Sequence, residues 1–332
     1  MNVPTGAKID RGSPGKGVRY LAVAGAVLGA LLLSACGAST LTPTGAPATE
    51  PPTASAVTNT PLPPTDVPAD TPTAGTPVTN TEDIIPTAPA MASTLNVFAA
   101  ASLQDVFTEM GKNFETANPG VKVALNFAGS QQLAQQIAQG APADVFASAN
   151  KTQMTAAIKT GRIVSGTEKV FVRNRLVVIV PVDNPGKVQS LQDLAKPGLK
   201  LVLAAKEVPV GQYALDFLTK TLTDTAFGAD YQGAVLKNVV SYEDNVRAVL
   251  SKVVLGEADA GIVYTTDVTP DAAPKVTRID IPDALNTVAV YPIAALADSK
   301  QADLAGKFVA YVLSDEGQQI LASYGFIPAS GK

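Results

Sequence analysis

Apolar positions between residues 94 and 328 switch repeatedly between two periods, and the switches outline the elements. "TLNVFAA" is a short continuous apolar run, as in a buried strand. Leu103, Val106, Phe107, Met110 and Phe114 then recur at three- and four-residue steps, predicting an amphipathic helix that ends near "NPG". Val121, Val123, Leu125 and Phe127 alternate as a second strand. Leu133 and Ile137 mark a helix closed by Gly140, and "DVFASA" reads as a short strand before a helix from about Lys151 to Thr160.

After Gly161 the same rhythm resumes. "RLVVIVP", "LKLVLA", "NVVSY", "AGIVYTT", "KVTRIDIP" and "TVAVYPIAAL" read as strands. "SLQDL" reads as a short helix, and "GQYALDFLTKTL" and "NVRAVLSKVVLGEA" as longer ones. Two further helices close the chain, over about Ser299 to Leu313 and Glu316 to Ser323. Repeated strand–helix alternation predicts an α/β fold with parallel-rich sheets covered by helices. The expected organisation is two lobes: residues 94–174 with 292–332 form lobe 1, and 175–291 form lobe 2. The chain would cross near Arg173 to Val180 and return near Thr287 to Ala294.

The N-terminus follows another pattern. Lys8, Arg11, Lys16 and Arg19 precede the apolar stretch "YLAVAGAVLGALLL", which is short for a membrane span, and "LSAC" follows. This resembles a bacterial lipoprotein signal over residues 1–35, with cleavage after Ala35 and a lipid on Cys36. Residues 36–93 are rich in Pro, Thr and Ala without apolar periodicity. Such a segment buries too little to offset its ordering entropy, so a disordered tether is expected. The domain would therefore work outside the cytoplasmic membrane, anchored to its outer face.

Composition narrows the chemistry. The chain has 332 residues, no histidine, one cysteine and a net charge of -4. These counts exclude histidine-based metal sites, Ser-His-Asp and Cys-His nucleophile pairs and an internal disulfide. No basic face invites nucleic acid. The candidate chemistry lies instead at strand–helix junctions. Ser102 in "FAAASLQD" follows a strand and opens a helix, with Asp105 at capping-box spacing, and a lone serine there is ordinarily an N-cap. "NFAGSQQLAQQI" repeats the arrangement at Ser130. Two such junctions on adjacent parallel strands would set helix N-termini side by side, where free N–H groups and dipoles favour an anion. Farther on, Pro209 to Gly211 begin one helix, Asn245 caps another, and Tyr264 ends a strand.

In order, "FAAASL", "FAGSQQLAQQI", "ADVFASA", "VPVGQYA", "DNVRAVLSKVVLGEADAGIVYTTD" and "SDEGQQILASYGF" resemble the molybdate-binding components of molybdate ABC transporters, over essentially all of 94–328. The resemblance implies a type II periplasmic-binding-protein fold that closes on a tetrahedral oxyanion. It also implies ligation by the Ser102 and Ser130 hydroxyls, the Val210 and Val246 amides and the Tyr264 hydroxyl. The implied ligand is molybdate or tungstate, with the metal reached only through its oxygens, no cofactor and no catalytic residue. The implied partner is a membrane permease, and the receptor is expected to be a monomer. A donor-only cage suits these fully deprotonated dianions, whereas hydrogen phosphate would leave its proton unpaired. Sulfate passes the same test and is the alternative ligand. A serine hydrolase with a lysine base is the remote alternative, and no Ser-x-x-Lys begins at either serine. Arg247 is expected in a surface or interlobe ion pair, and Asp144 is expected to fix a strand end.

Overall fold

The computed structural model describes residues 93–329; the signal segment, Cys36 and the tether lie outside the described residues. In chain order the first part comprises β1 (Ser93–Ala100), α1 (Gln104–Ala117), β2 (Val121–Ala128), α2 (Ser130–Ala138), β3 (Val145–Ala147), α3 (Lys151–Lys159) and β4 (Lys169–Asn174). The second comprises β5 (Leu176–Pro181), β6 (Leu201–Ala204), α4 (Pro209–Lys220), α5 (Tyr231–Lys237), β7 (Val239–Glu243), α6 (Val246–Val254), β8 (Ala260–Tyr264) and β9 (Val276–Asp280). The chain then returns through β10 (Ala289–Ala295), α7 (Ala302–Leu313), α8 (Asp315–Ser323) and β11 (Ile327–Pro328).

These elements build two sheets, each the centre of a lobe: β11-β4-β10-β3-β1-β2 and β7-β6-β8-β5-β9. Both are mixed, which corrects the parallel-rich expectation. Where a helix follows a strand the next pairing is parallel, as in β1 with β2 and β3, and β6 with β7 and β8. The crossing strands are entered with no helix before them, β5 directly after β4 and β10 after β9, and both pair antiparallel with their two neighbours. The first crossing occurs at Arg175, between β4 and β5. β10 lies in the first sheet from Ala289 onward, somewhat before the expected boundary at 292.

Packing follows the apolar pattern. All of β5 is buried, as a continuous run of Leu, Val and Ile predicts for a strand covered on both faces. In the first lobe Phe308 of α7 meets Phe107 and Phe114 of α1 edge-on, with ring centroids 6.0 Å and 5.2 Å apart. Asp144 fixes a strand end as anticipated: its carboxylate accepts from the Asn96 backbone N–H at 2.7 Å and from Ser299 Oγ at 2.6 Å.

The lobes touch across their cleft. Gln131 Nε2 donates to the Asp244 carbonyl at 2.8 Å, and Gln153 Nε2 to the Glu207 carbonyl at 3.0 Å. Arg247 of α6 bridges Asp105 of α1 at 2.7 Å and the fully buried Asp267 at 3.1 Å. The ion pair is thus interlobe. Glu243, which is near Arg247 in sequence, pairs instead with Lys252 at 2.6 Å. Burial pushes the Asp267 carboxyl up to about 6 against the pull of Arg247. Because this folded value lies above the unfolded one, ionising Asp267 costs stability as pH rises from about 4.

Phe308→Ala should lower the unfolding free energy by about 3 to 5 kcal/mol in a denaturant titration, since it empties an aromatic contact at the core. Arg247→Ala strips Asp267 of its cation and should cost about 3 kcal/mol near neutral pH. That deficit should shrink towards pH ~4, where the folded carboxyl is neutral and no longer needs the cation; a deficit independent of pH would refute this account of Arg247.

Candidate functional site

The junctions that the sequence marked converge on one place. β1 and β2 pair in register from Ser93 with Val121 to Ala100 with Ala128, so their carboxyl ends are level and both following turns leave the same sheet edge. From the other lobe, α4 follows β6 and α6 follows β7, strands that are neighbours and parallel. Together the junctions line a small pocket with a cavity of about 10 Å³, and Ser102, Ser130, Val210, Val246 and Tyr264 are all in its wall. All five expected site residues therefore face a single space, and each is at most 4% exposed. Space of this order is about what one water molecule needs and is far below the several hundred Å³ of organic-ligand sites.

The serines reach the pocket in a manner unlike the simple cap. Ser102 lies inside a 3-10 turn over Ala101–Leu103, and the N-cap of α1 is Leu103, with no side-chain cap bond. The tighter turn shifts the α-helix start past Ser102 and moves Asp105 away from capping and towards Arg247. The hydroxyl of Ser102 meets Tyr291 Oη at 2.9 Å. Ser130 is likewise the first helical residue rather than the cap, because Gly129 occupies that position and takes the Gln132 side chain on its N–H at 3.2 Å. Ser130 Oγ accepts from the Ala149 N–H at 3.0 Å, which leaves its own proton free for a ligand. The hydrogen bonds of the two serines involve no lysine.

In the second lobe Pro209 and Val210 are the first two residues of α4, and Val246 is the first of α6. N–H groups at these positions have no intrahelical acceptor, and Pro209 carries none. Asn245 caps α6 by accepting from the Ala248 N–H at 3.1 Å, so its side chain serves a deeper amide than Val246. Gly211 permits the start of α4 to lie on the end of β6; a Cβ there would sit 2.1 Å from the Ala205 carbonyl oxygen. Gly129 has the corresponding role between lobes: a Cβ would lie 2.3 Å from the Asp244 carbonyl oxygen across the cleft.

Tyr264 completes the wall. Its hydroxyl is fully buried without a hydrogen-bond partner, and burial holds its pKa well above the ordinary phenol range, so it remains a neutral donor. Ala100, Ala101, Ala128, Ala149 and Val208 add small apolar surface, and the lining also includes Asn245, whose side-chain oxygen is engaged by the Ala248 N–H. The arrangement offers hydroxyl and amide protons at three helix starts and one 3-10 turn, with no charged side chain in the lining. Chemically it can hold a small, fully deprotonated anion.

Sequence reading did not single out Tyr291 or Asn174, which stand behind Ser102. Tyr291 carries the lone hydroxyl of the strand Ala289–Ala295. A polar tip in so apolar a strand was the available signal. Asn174 gave none, because its side-chain partners Thr265, Thr266 and Tyr291 lie far away in sequence.

Comparison with known proteins agrees with this geometry. Residues 95–327 match the family model described as bacterial extracellular solute-binding protein. The molybdate-binding protein ModA of Mycobacterium tuberculosis (strain ATCC 25618 / H37Rv) is 42% identical over 242 residues, covering 73% of this chain and 87% of that protein. The molybdate-binding protein ModA of Haemophilus influenzae is 34% identical over 248 residues, covering 71% and 91%. The solved periplasmic molybdate-binding protein of Azotobacter vinelandii aligns with a TM-score of 0.60 over 70% of this chain and 98% of that one, and its 20% identity speaks for the fold alone. Among the described residues no helix is long and apolar enough to cross a membrane. With the family model matched over 95–327 and relatives at these identities covered over most of their length, the chain belongs to the bacterial extracellular solute-binding proteins, in the molybdate-binding family.

Proposed function

We propose that the chain captures molybdate or tungstate outside the cytoplasmic membrane and delivers it to an ABC permease. The anion would be held between the lobes by the hydroxyls of Ser102, Ser130 and Tyr264 and the amides of Val210 and Val246. The observation that carries this reading is the Tyr264 hydroxyl, buried without a partner in a small pocket that also holds the Ser102 and Ser130 hydroxyls and the starts of α4 and α6. A buried unpaired hydroxyl costs about 1 to 3 kcal/mol, and an oxyanion oxygen would remove that cost. Its pull on both lobes would favour the closed arrangement.

The anchoring also belongs to this reading. A lipid on Cys36 and the tether over 36–93 would keep a monomeric receptor close to its permease. Sulfate meets the same donor set, and the relative size of the two anions decides between them. Resemblance to proteins named for molybdate favours the larger ion.

Calorimetric titration with molybdate, tungstate, sulfate and hydrogen phosphate tests the assignment. Tight binding of the first two is expected, and a sulfate preference would overturn it. Ser102→Ala and Ser130→Ala should each weaken molybdate binding by about 1.5 to 3 kcal/mol, as for hydrogen bonds to a charged group. Gly129→Ala places a methyl against the Asp244 carbonyl and should reduce affinity at least about tenfold through impaired closure. Within its own lobe the methyl would meet the movable end of the Gln131 side chain, at 2.5 Å, so thermal stability without ligand should change little.

A further inference from the structure

Behind the pocket lies a chain of polar groups that none of the five expected contacts requires. Asn174 is the last residue of β4 and is fully buried. Its Oδ1 accepts from the Arg175 backbone N–H at 2.9 Å and from Thr265 Oγ1 at 3.0 Å. A backbone N–H can only donate, so the orientation of the amide is determined and its Nδ2 must donate on the other side. It does so to Thr266 Oγ1 at 2.8 Å and, over a longer 3.4 Å, to Tyr291 Oη. Tyr291 is also fully buried. Its hydroxyl has two hydrogen-bond neighbours, Asn174 and Ser102.

The Asn174 amide nitrogen can only donate, so of these two neighbours Ser102 Oγ, at 2.9 Å, is the one able to accept the Tyr291 proton. Once Ser102 accepts from Tyr291, its own proton must point elsewhere, and the pocket is the space it lines. Burial keeps the Tyr291 pKa far above the phenol range, so the relay carries its proton at any physiological pH. We infer that Tyr291, oriented by Asn174, is a positioning residue that locks Ser102 as a hydrogen-bond donor, and that this lock excludes protonated oxyanions. Hydrogen phosphate and sulfate carry the same charge, but only the former brings a proton that needs an acceptor. A Ser102 hydroxyl free to turn could accept it; a locked one turns only by breaking its bond with Tyr291. Asn174 also joins β4 to the turn that follows Tyr264, so the same side chain braces both hydroxyls.

This inference rests on the oxyanion reading of the pocket, and its test separates the two. In Tyr291→Phe, binding of molybdate, sulfate and hydrogen phosphate is compared by calorimetry at pH 8 with the unmodified protein. The sulfate-to-phosphate preference should fall at least about tenfold, while the molybdate-to-sulfate preference, which depends on size, should stay within about twofold. If phosphate and sulfate affinities change in parallel, Tyr291 only packs and the relay is wrong. An unmodified protein that binds sulfate but not molybdate would overturn the ligand assignment and leave the sulfate-to-phosphate comparison intact. Neutron diffraction on the unmodified, deuterium-exchanged protein gives a readout that needs neither ligand nor variant. The deuteron between Ser102 Oγ and Tyr291 Oη should be covalently attached to Tyr291, and attachment to Ser102 would sink the proposal.

Discussion

A dianion can leave water only for a place where protons already face it, and this constraint organises both lobes. Each aligned helix contributes the equivalent of roughly half a positive charge at its N-terminus. Starts of α2, α4 and α6 at one pocket therefore supply on the order of 1.5 charges before any hydroxyl is counted, close to what a doubly charged anion requires. Bringing three helix starts together demands strand ends that are level, and the register of β1 with β2 and of β6 with β7 provides them. The mixed sheets are then the scaffold on which the donors are aimed.

The same constraint explains what is kept away from the pocket. Ionised carboxylates near a dianion would repel it, yet Asp105 and Asp267 each follow a site residue by three positions, Ser102 and Tyr264 respectively. Arg247 stands between them, so their charge is met by a guanidinium and does not act unopposed on the pocket. The cation is therefore occupied as a bridge between lobes and is absent from the pocket lining. Neutral dipoles, fixed by the fold, can hold an anion tightly in the closed state and lose their convergence when the lobes part, as a transport receptor requires for release.

Hydroxyl groups add a difficulty that amides do not have, since a hydroxyl can accept as readily as it donates. At Ser130 the Ala149 N–H occupies the oxygen, and at Ser102 Tyr291 takes that part. Both serines are braced by something that reaches them from another strand or loop. The brace on Ser102 extends to the crossing between lobes, because Asn174 precedes Arg175, where the chain leaves the first sheet. Pocket chemistry and hinge are thereby parts of one hydrogen-bonded group.

The sequence by itself determined the identity of most elements and the place of the junctions. Period and length are local properties, and continuous runs such as "LVVIVP" and the three- and four-residue steps from Leu103 to Phe114 carry them within a few residues. Absence of histidine excluded whole classes of chemistry before any fold was known. β4, α5 and β11 were less visible, being short or merged with neighbouring patterns. Tertiary structure alone decided that β5 and β10 run antiparallel to their neighbours, since pairing direction depends on where the chain returns. It also decided that Ser102 is no cap. The spacing "SLQD" permits a capping box, but the 3-10 turn and the Tyr291 hydroxyl, 189 residues away, draw the side chain elsewhere. Local patterns show which groups could donate; only long-range packing sets the direction in which a hydroxyl proton points.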